Sequence, residues 1–130
     1  MSKIIIASGP VIVENGKALL DIQGDDDFWK FCGGKIREGE SLKKTAIRRA
    51  KEELGIDIEI IDESPFLMHV SKERDGENTD VLLVHWLAKR IGEPKAGEGV
   101  RETEWVDIKN LPKDVGPNVK PALKHFGFTE

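Results

Sequence analysis

Between Gly33 and Ile56 the chain reads GGKIREGESLKKTAIRRAKEELGI, and its chemistry-bearing residues gather at the two ends of that segment. At one end, Gly33 and Gly34 let backbone approach a metal ion or a phosphate with no side chain in the way. At the other, Glu52 and Glu53 are adjacent carboxylates, and Glu40 can approach them from a loop. Hard oxygen donors of this kind suit Mg²⁺, with Mn²⁺ as a second candidate. A divalent ion that bridges phosphate oxygens while a water is activated for attack is a general route to cleaving phosphate esters and anhydrides. Arg49 opposes that chemistry. It lies one helical turn before Glu53 and three residues before Glu52, within pairing reach of both. A cation there repels a metal, which predicts weaker metal affinity or a displaced metal.

A helix must carry the acids. Ser41–Leu54 has a Ser N-cap and Gly55 placed to stop it. At 100° per residue, Leu42, Ala46, Ala50 and Leu54 line one face with Ile47 at its margin, so that face packs on a sheet. The strands to meet it are expected at Ile4–Ala7 and Val11–Glu14, split by Ser8-Gly9-Pro10, and then at Lys17–Ile22. Asn15-Gly16 before Lys17 is a hairpin signal, because both turn positions need positive φ. Further strands are expected at Phe28–Phe31, Ile56–Ile61, Phe66–Val70, Val81–Ala88 and Glu104–Ile108. Arg74–Asn78 reads as a turn or flexible loop and Gly92–Gly99 as a loop. A second helix spans Asn118–Phe126, with Pro121 near its first turn. Many strands and two helices give an α/β domain with a mixed sheet covered by helices.

The chain has 130 residues, which suits one domain over 1–130. Its 38% hydrophobic and 34% charged composition is that of an ordinary globular protein. A net charge of −4 argues against a nucleic-acid polymer as partner, which would call for a basic face. It leaves room for a small phosphorylated ligand. Cys32 is the only cysteine, so no disulfide forms within one chain, and a reducing, cytoplasmic setting is the default. No apolar run approaches the ~18 residues of a membrane span, so no membrane is expected, and Ile4–Ala7 is too short for a signal core.

The spacing goes further than the parts. Gly34, five residues, Glu40, seven residues, Arg48, then Ala50, Glu52, Glu53, Gly55 and Ile56 resemble the Nudix box, G-x5-E-x7-R-E-U-x-E-E-x-G-U with U apolar. The resemblance reaches, more weakly, over most of the chain. Phe28-Trp29-Lys30-Phe31 is similar to the strand entering the box, and Trp105-Val106-Asp107 with Leu111-Pro112 to the family's late strand and turn. Arg49 stands where the family has Glu, often a metal ligand or a partner of the attacking water.

The resemblance implies a Nudix-type α/β/α sandwich with a central mixed sheet. It also implies a MutT-like, Mg²⁺-dependent pyrophosphatase acting on a nucleoside triphosphate or another nucleoside diphosphate derivative. Glu52, Glu53 and the Gly33 carbonyl are then expected metal ligands. Glu98 is a loop acid outside the box offered as an extra ligand or base, so the catalytic set is Glu52, Glu53 and Glu98. Gly34, Glu40, Arg48 and Gly55 form the structural frame, with Arg48 orienting the acids. Lys35 and Arg37 are expected at phosphate oxygens. Trp29 and Phe31 are candidates for stacking on a base, and Asn118 resembles a position that reads a base edge in some members. His69, His85 and His125 are assigned structural roles, since their spacing suggests no zinc site. Cys32, standing where the family often has proline, is assigned to packing. The alternative is a catalytically impaired nucleotide-binding or regulatory module of the same fold. Either reading fits a monomer or homodimer.

Overall fold

The computed structural model describes residues 2–129; Met1 and Glu130, the ends of the expected 1–130 span, lie outside them. The order is β1 (Ser2–Val11), β2 (Val13–Glu14), β3 (Lys17–Gln23), β4 (Gly34–Lys35), α1 (Leu42–Leu54), β5 (Asp57–Ile60), β6 (Phe66–Arg74), β7 (Glu77–Ile91), β8 (Val100–Asp107) and α2 (Val119–His125), with a 3₁₀ turn at Ile108–Asn110.

The long strand β7 organises the larger sheet. β1 runs parallel along one edge, with Ser2 opposite Asn78 and Val11 opposite Leu87. β6 and then β5 pair with it antiparallel in tandem, so these two occupy its other edge. The short β4 closes the far side of β1. A smaller antiparallel sheet runs β2-β3-β8. The larger sheet is therefore mixed, with one parallel pair, and a helix covers each side. Ala46, Ala50 and Leu54 of α1 share a core with Ile12, Ile56, Val84 and Trp86, while Val119, Ala122 and Leu123 of α2 share another with Val11, Leu20 and Phe31. This is the expected α/β/α sandwich.

Helix α1 starts and stops as its sequence requires. The Ser41 hydroxyl accepts from the Lys44 N–H at 3.2 Å, and Gly55 closes the helix in the left-handed region at φ 66°. The alanines on the buried face let the helix lie close to the sheet. Ile47, at the margin of that face, remains exposed.

Several expected boundaries moved. Ser8-Gly9-Pro10 does not divide a strand, because β1 runs through it. Gly9 instead serves a close approach. A Cβ there would lie 1.9 Å from the Cys32 carbonyl oxygen and 2.6 Å from the Gly33 Cα. These are backbone atoms that cannot rotate away, so Gly9→Ala should cost roughly 3 kcal/mol of folding free energy. Denaturant unfolding checks this, and a loss under about 1 kcal/mol would contradict the packing of β1 on the box loop.

Phe28–Phe31 does not form a regular strand. It makes isolated bridges only, Asp21 with Lys30 and Trp29 with Val115. Arg74–Asn78 is a tight hairpin between β6 and β7 rather than a flexible loop, turning at Asp75 and Gly76 with φ 54° and 76°. β8 starts at Val100, four residues before the expected Glu104, because it pairs along most of β3. Among the described residues no helix is long and apolar enough to cross a membrane.

Candidate active site

Helix α1 sets its acids among arginines. Arg48 bonds Glu40 through Nε (2.7 Å), Glu52 through one terminal nitrogen (2.9 Å) and the Lys35 carbonyl through the other (2.9 Å). It thereby ties the pre-helix loop, β4 and the last turns of α1 together. The paired Arg48 guanidinium and the Thr45 hydroxyl hold the Glu40 carboxyl down at about 2. Glu52 receives three arginines, Arg48, Arg49 at 3.1 Å and Arg37 at 3.4 Å.

Arg49 also reaches Glu53, with Nε 2.9 Å from Oε2. The pair is close but poorly aligned, so neither atom makes a hydrogen bond. The guanidinium lies flat over Gly34, where an added Cβ would meet Nε at 2.3 Å. The first glycine of the box, Gly34, therefore makes room for the one residue that departs from the box.

Behind this lattice the chain buries more acid. Glu53 is 1% exposed and Asp21, on β3, is 0% exposed. The Gln23 amide donates to Asp21 at 3.3 Å and to Glu53, bridging them. Burial pushes the Glu53 carboxyl up to about 7, against the pull of Arg49 and Lys30. Burial and the nearby Glu53 charge push Asp21 up to about 7 as well. Sequence reasoning missed Asp21 and Gln23, although an acid inside the apolar run Leu19-Leu20-Asp21-Ile22 was a visible anomaly.

In front of the lattice opens a cleft of about 790 Å³. Lys30, Lys35, Arg37, Arg48, Arg49 and Lys72 line it, and among the described residues no carboxylate does. A chain of net charge −4 thus concentrates six cations on one concave surface. The box glycines, Phe28, Phe31 and Asn118 also line it.

The expected site residues divide. Gly33, Lys35, Arg37 and Asn118 converge on the cleft, with Glu52 and Glu53 behind its arginines. Trp29 does not line it. It packs on the α2 core, because its bridge to Val115 turns it inward, and Phe28 takes the wall position instead. Glu98 is exposed and does not line the cleft. It meets the box through backbone: its N–H donates to the Glu52 carbonyl at 3.0 Å, as the Gly97 N–H does to that of Glu53 at 2.7 Å.

His85 acquires a site role that its sequence position did not suggest. It is buried, lines the cleft, and its Nε2 lies 2.8 Å from the Asn118 amide nitrogen. Accepting from that amide leaves the Asn118 oxygen outside this bond, beside Gly116. Burial drives the imidazole down to about 4, against a weak contribution from the Gly9 backbone. A base with a lowered native pKa leaves the unfolded chain binding more protons between its two pKa values. Stability attributable to His85 is therefore lost as pH falls from about 6.5 toward 4, by about 3 kcal/mol. The Asp21–Glu53 pair has the opposite slope, so the comparison must be with His85→Gln, which retains that pair. Unfolding of the two proteins across this range should diverge; parallel curves would contradict the buried neutral imidazole.

The NUDIX domain family model matches residues 6–126. ADP-ribose pyrophosphatase of Methanocaldococcus jannaschii is 31% identical over 106 residues, covering 78% of this chain and 62% of that protein. The mRNA-decapping enzyme subunit 2 of Saccharomyces cerevisiae (strain YJM789) is 28% identical over 126 residues, 95% of this chain but 12% of that protein. The chain therefore spans less than two thirds of either relative. The crystal structure of a MutT NUDIX hydrolase from Burkholderia pseudomallei superposes with a TM-score of 0.76 at 25% identity, covering 94% of this chain and 97% of that one. Box spacing, sandwich architecture and family match agree, and the chain belongs to the NUDIX domain family.

Proposed function

We propose that this chain is a Nudix pyrophosphohydrolase that cleaves the pyrophosphate linkage of a nucleoside triphosphate or another nucleoside diphosphate derivative. The observation that carries it is the six-cation cleft opening directly over the box loop and the acids of α1. An oligophosphate brings the negative charge this surface lacks. A relative named as an ADP-ribose pyrophosphatase supports a small nucleotide as the substrate class.

A divalent ion fits the donor set. Glu53 Oε2 is a buried carboxylate oxygen with no hydrogen-bond partner, beside Glu52 on the same helix end. Glu52, Glu53 and the Gly33 carbonyl would hold Mg²⁺, with Mn²⁺ as a substitute and Glu98 as a further ligand or base from its loop. When bound, the ion supplies positive charge to the phosphate oxygens. The remaining work falls to the chain itself. Lys35, Arg37 and Lys72 orient the phosphates from the cleft wall. Arg48 fixes Glu52 through its bond to the Lys35 carbonyl. Phe28 and Phe31 offer apolar surface to a base, while Asn118, held by His85, presents its amide oxygen to a base edge. The protein then acts on a small nucleotide in the cytoplasm, as a monomer or homodimer, without a nucleic-acid polymer or a membrane.

One observation favours a second reading. Arg49 already supplies a cation to both Glu52 and Glu53. If that pairing persists with nucleotide bound, the fold binds without turnover. A panel of nucleoside triphosphates and diphosphate-linked nucleotides with Mg²⁺ or Mn²⁺ separates the two. Release of phosphate, pyrophosphate or a nucleoside monophosphate is expected. Saturable binding with no product supports the binding module and overturns the enzyme.

A further inference from the structure

The buried acids behind Arg49 have a third neighbour that the hydrolase reading does not use. Asp21, Cys32 and Glu53 each place a potential ligand atom within 4.8 Å of the others, and all three side chains are buried. Asp21 is fully buried, yet its Oδ1 has no hydrogen-bond partner. Its other oxygen receives one long bond from Gln23, and among the described residues no salt bridge reaches it. Glu52, at the cleft side, has three arginines; Asp21, in the interior, has none. A buried acid left this way costs free energy unless a proton or a cation completes it.

We propose that Asp21, Cys32 and Glu53 form a cation site on the inner side of Glu53, which takes a thiophilic divalent ion of the Zn²⁺ class. The ligand set is one sulfur and two carboxylate oxygens, and thiolate sulfur selects such ions over Mg²⁺. Tetrahedral bonds of about 2.0 Å to oxygen and 2.3 Å to sulfur put ligand atoms roughly 3.3–3.5 Å apart. Contraction by about 1.3–1.5 Å from the present 4.8 Å limit closes the site, a movement within side-chain reach. Gln23 completes the arrangement. It lines the cleft, touches both acids, and offers its amide oxygen as a neutral fourth ligand after rotation of the amide. It also marks the path by which an ion enters. On binding, the Cys32 thiol and any protonated carboxyl release protons to solvent, and no electrons are transferred. Asp21 and Cys32 lie outside the box pattern, and Arg49 guards the opposite, cleft side of Glu53.

Co²⁺ titration of the reduced protein tests this without any substrate. Cys32 is the only thiol, so a near-ultraviolet sulfur-to-Co²⁺ charge-transfer band reports this site alone. The wild type is expected to develop the band with one equivalent, together with the visible bands of tetrahedral Co²⁺. Cys32→Ser should lose it, and Asp21→Asn should weaken Co²⁺ binding about 10-fold or more, with circular dichroism confirming both folds. Folded wild type that shows no sulfur band at saturating Co²⁺ overturns the site. Asp21→Asn binding as tightly as wild type overturns it too. These outcomes are independent of turnover: Co²⁺ bound by oxygen alone refutes this site and leaves the hydrolase standing, whereas a sulfur band in a protein without turnover does the reverse.

Discussion

Arg49→Glu should bind Mg²⁺ about 100-fold more tightly than the wild type. In the wild type the guanidinium lies 3.1 Å from Glu52 and 2.9 Å from Glu53, over the carboxylates a metal would use. The substitution changes the local charge by two units. Two units about 5 Å from a divalent ion are worth about 3 kcal/mol even at water-like screening, which corresponds to roughly a hundredfold. The Arg49–Glu52 pair that is lost is partly exposed and worth only about 0.3–1 kcal/mol, so it does not offset the gain. The new acid also faces Gly34, which has no side chain to obstruct it. Isothermal titration with Mg²⁺ checks the result, and equal or tighter binding by the wild type would show that Arg49 does not oppose the metal.

Glu53→Gln should reduce kcat/KM by about 100-fold or more, while the fold persists. The replacement keeps the shape of a side chain that is 1% exposed and already bonded to Gln23. It removes the charge that a metal requires, and losing even an outer partner of a metal site typically costs about 10–100-fold. Stability should change less than activity, and in the metal-free protein it should rise at neutral pH. Burial makes an ionised Glu53 unfavourable, with its pKa raised to about 7, so stability from this group falls as pH climbs from about 4.5 to 7. A neutral amide in its place has no such loss. Activity falling while stability holds or improves separates a chemical role for this acid from a packing role.

What the sequence made legible follows from how local each signal was. The cap, stop and apolar face of α1 were readable because Ser41, Gly55 and the Ala46–Ala50–Leu54 stripe act within one element. The Asn15-Gly16 turn was readable for the same reason. The continuity of β1 was not. Its partner is the distant β7, and pairing with a strand about 76 residues away overrode the local break at Ser8-Gly9-Pro10. The arginine lattice was half visible: helical spacing put Arg49 near Glu52 and Glu53, but nothing local showed that it would lie over Gly34. Trp29 and Phe31 were equal stacking candidates in sequence, and only the bridge to Val115 showed that Trp29 turns inward while Phe31 lines the cleft. Asp21 and His85 were hidden because each draws its meaning from a residue about 30 positions away, Glu53 and Asn118.

The most direct test of the central claim is product formation from pyrophosphate-linked nucleotides with Mg²⁺ in ¹⁸O-enriched water, run for wild type and Glu53→Gln together. The wild type is predicted to release a phosphate product carrying one solvent oxygen, and Glu53→Gln to lose that turnover. Bound nucleotide with no labelled product from the wild type, or turnover undiminished in Glu53→Gln, would contradict the active site described.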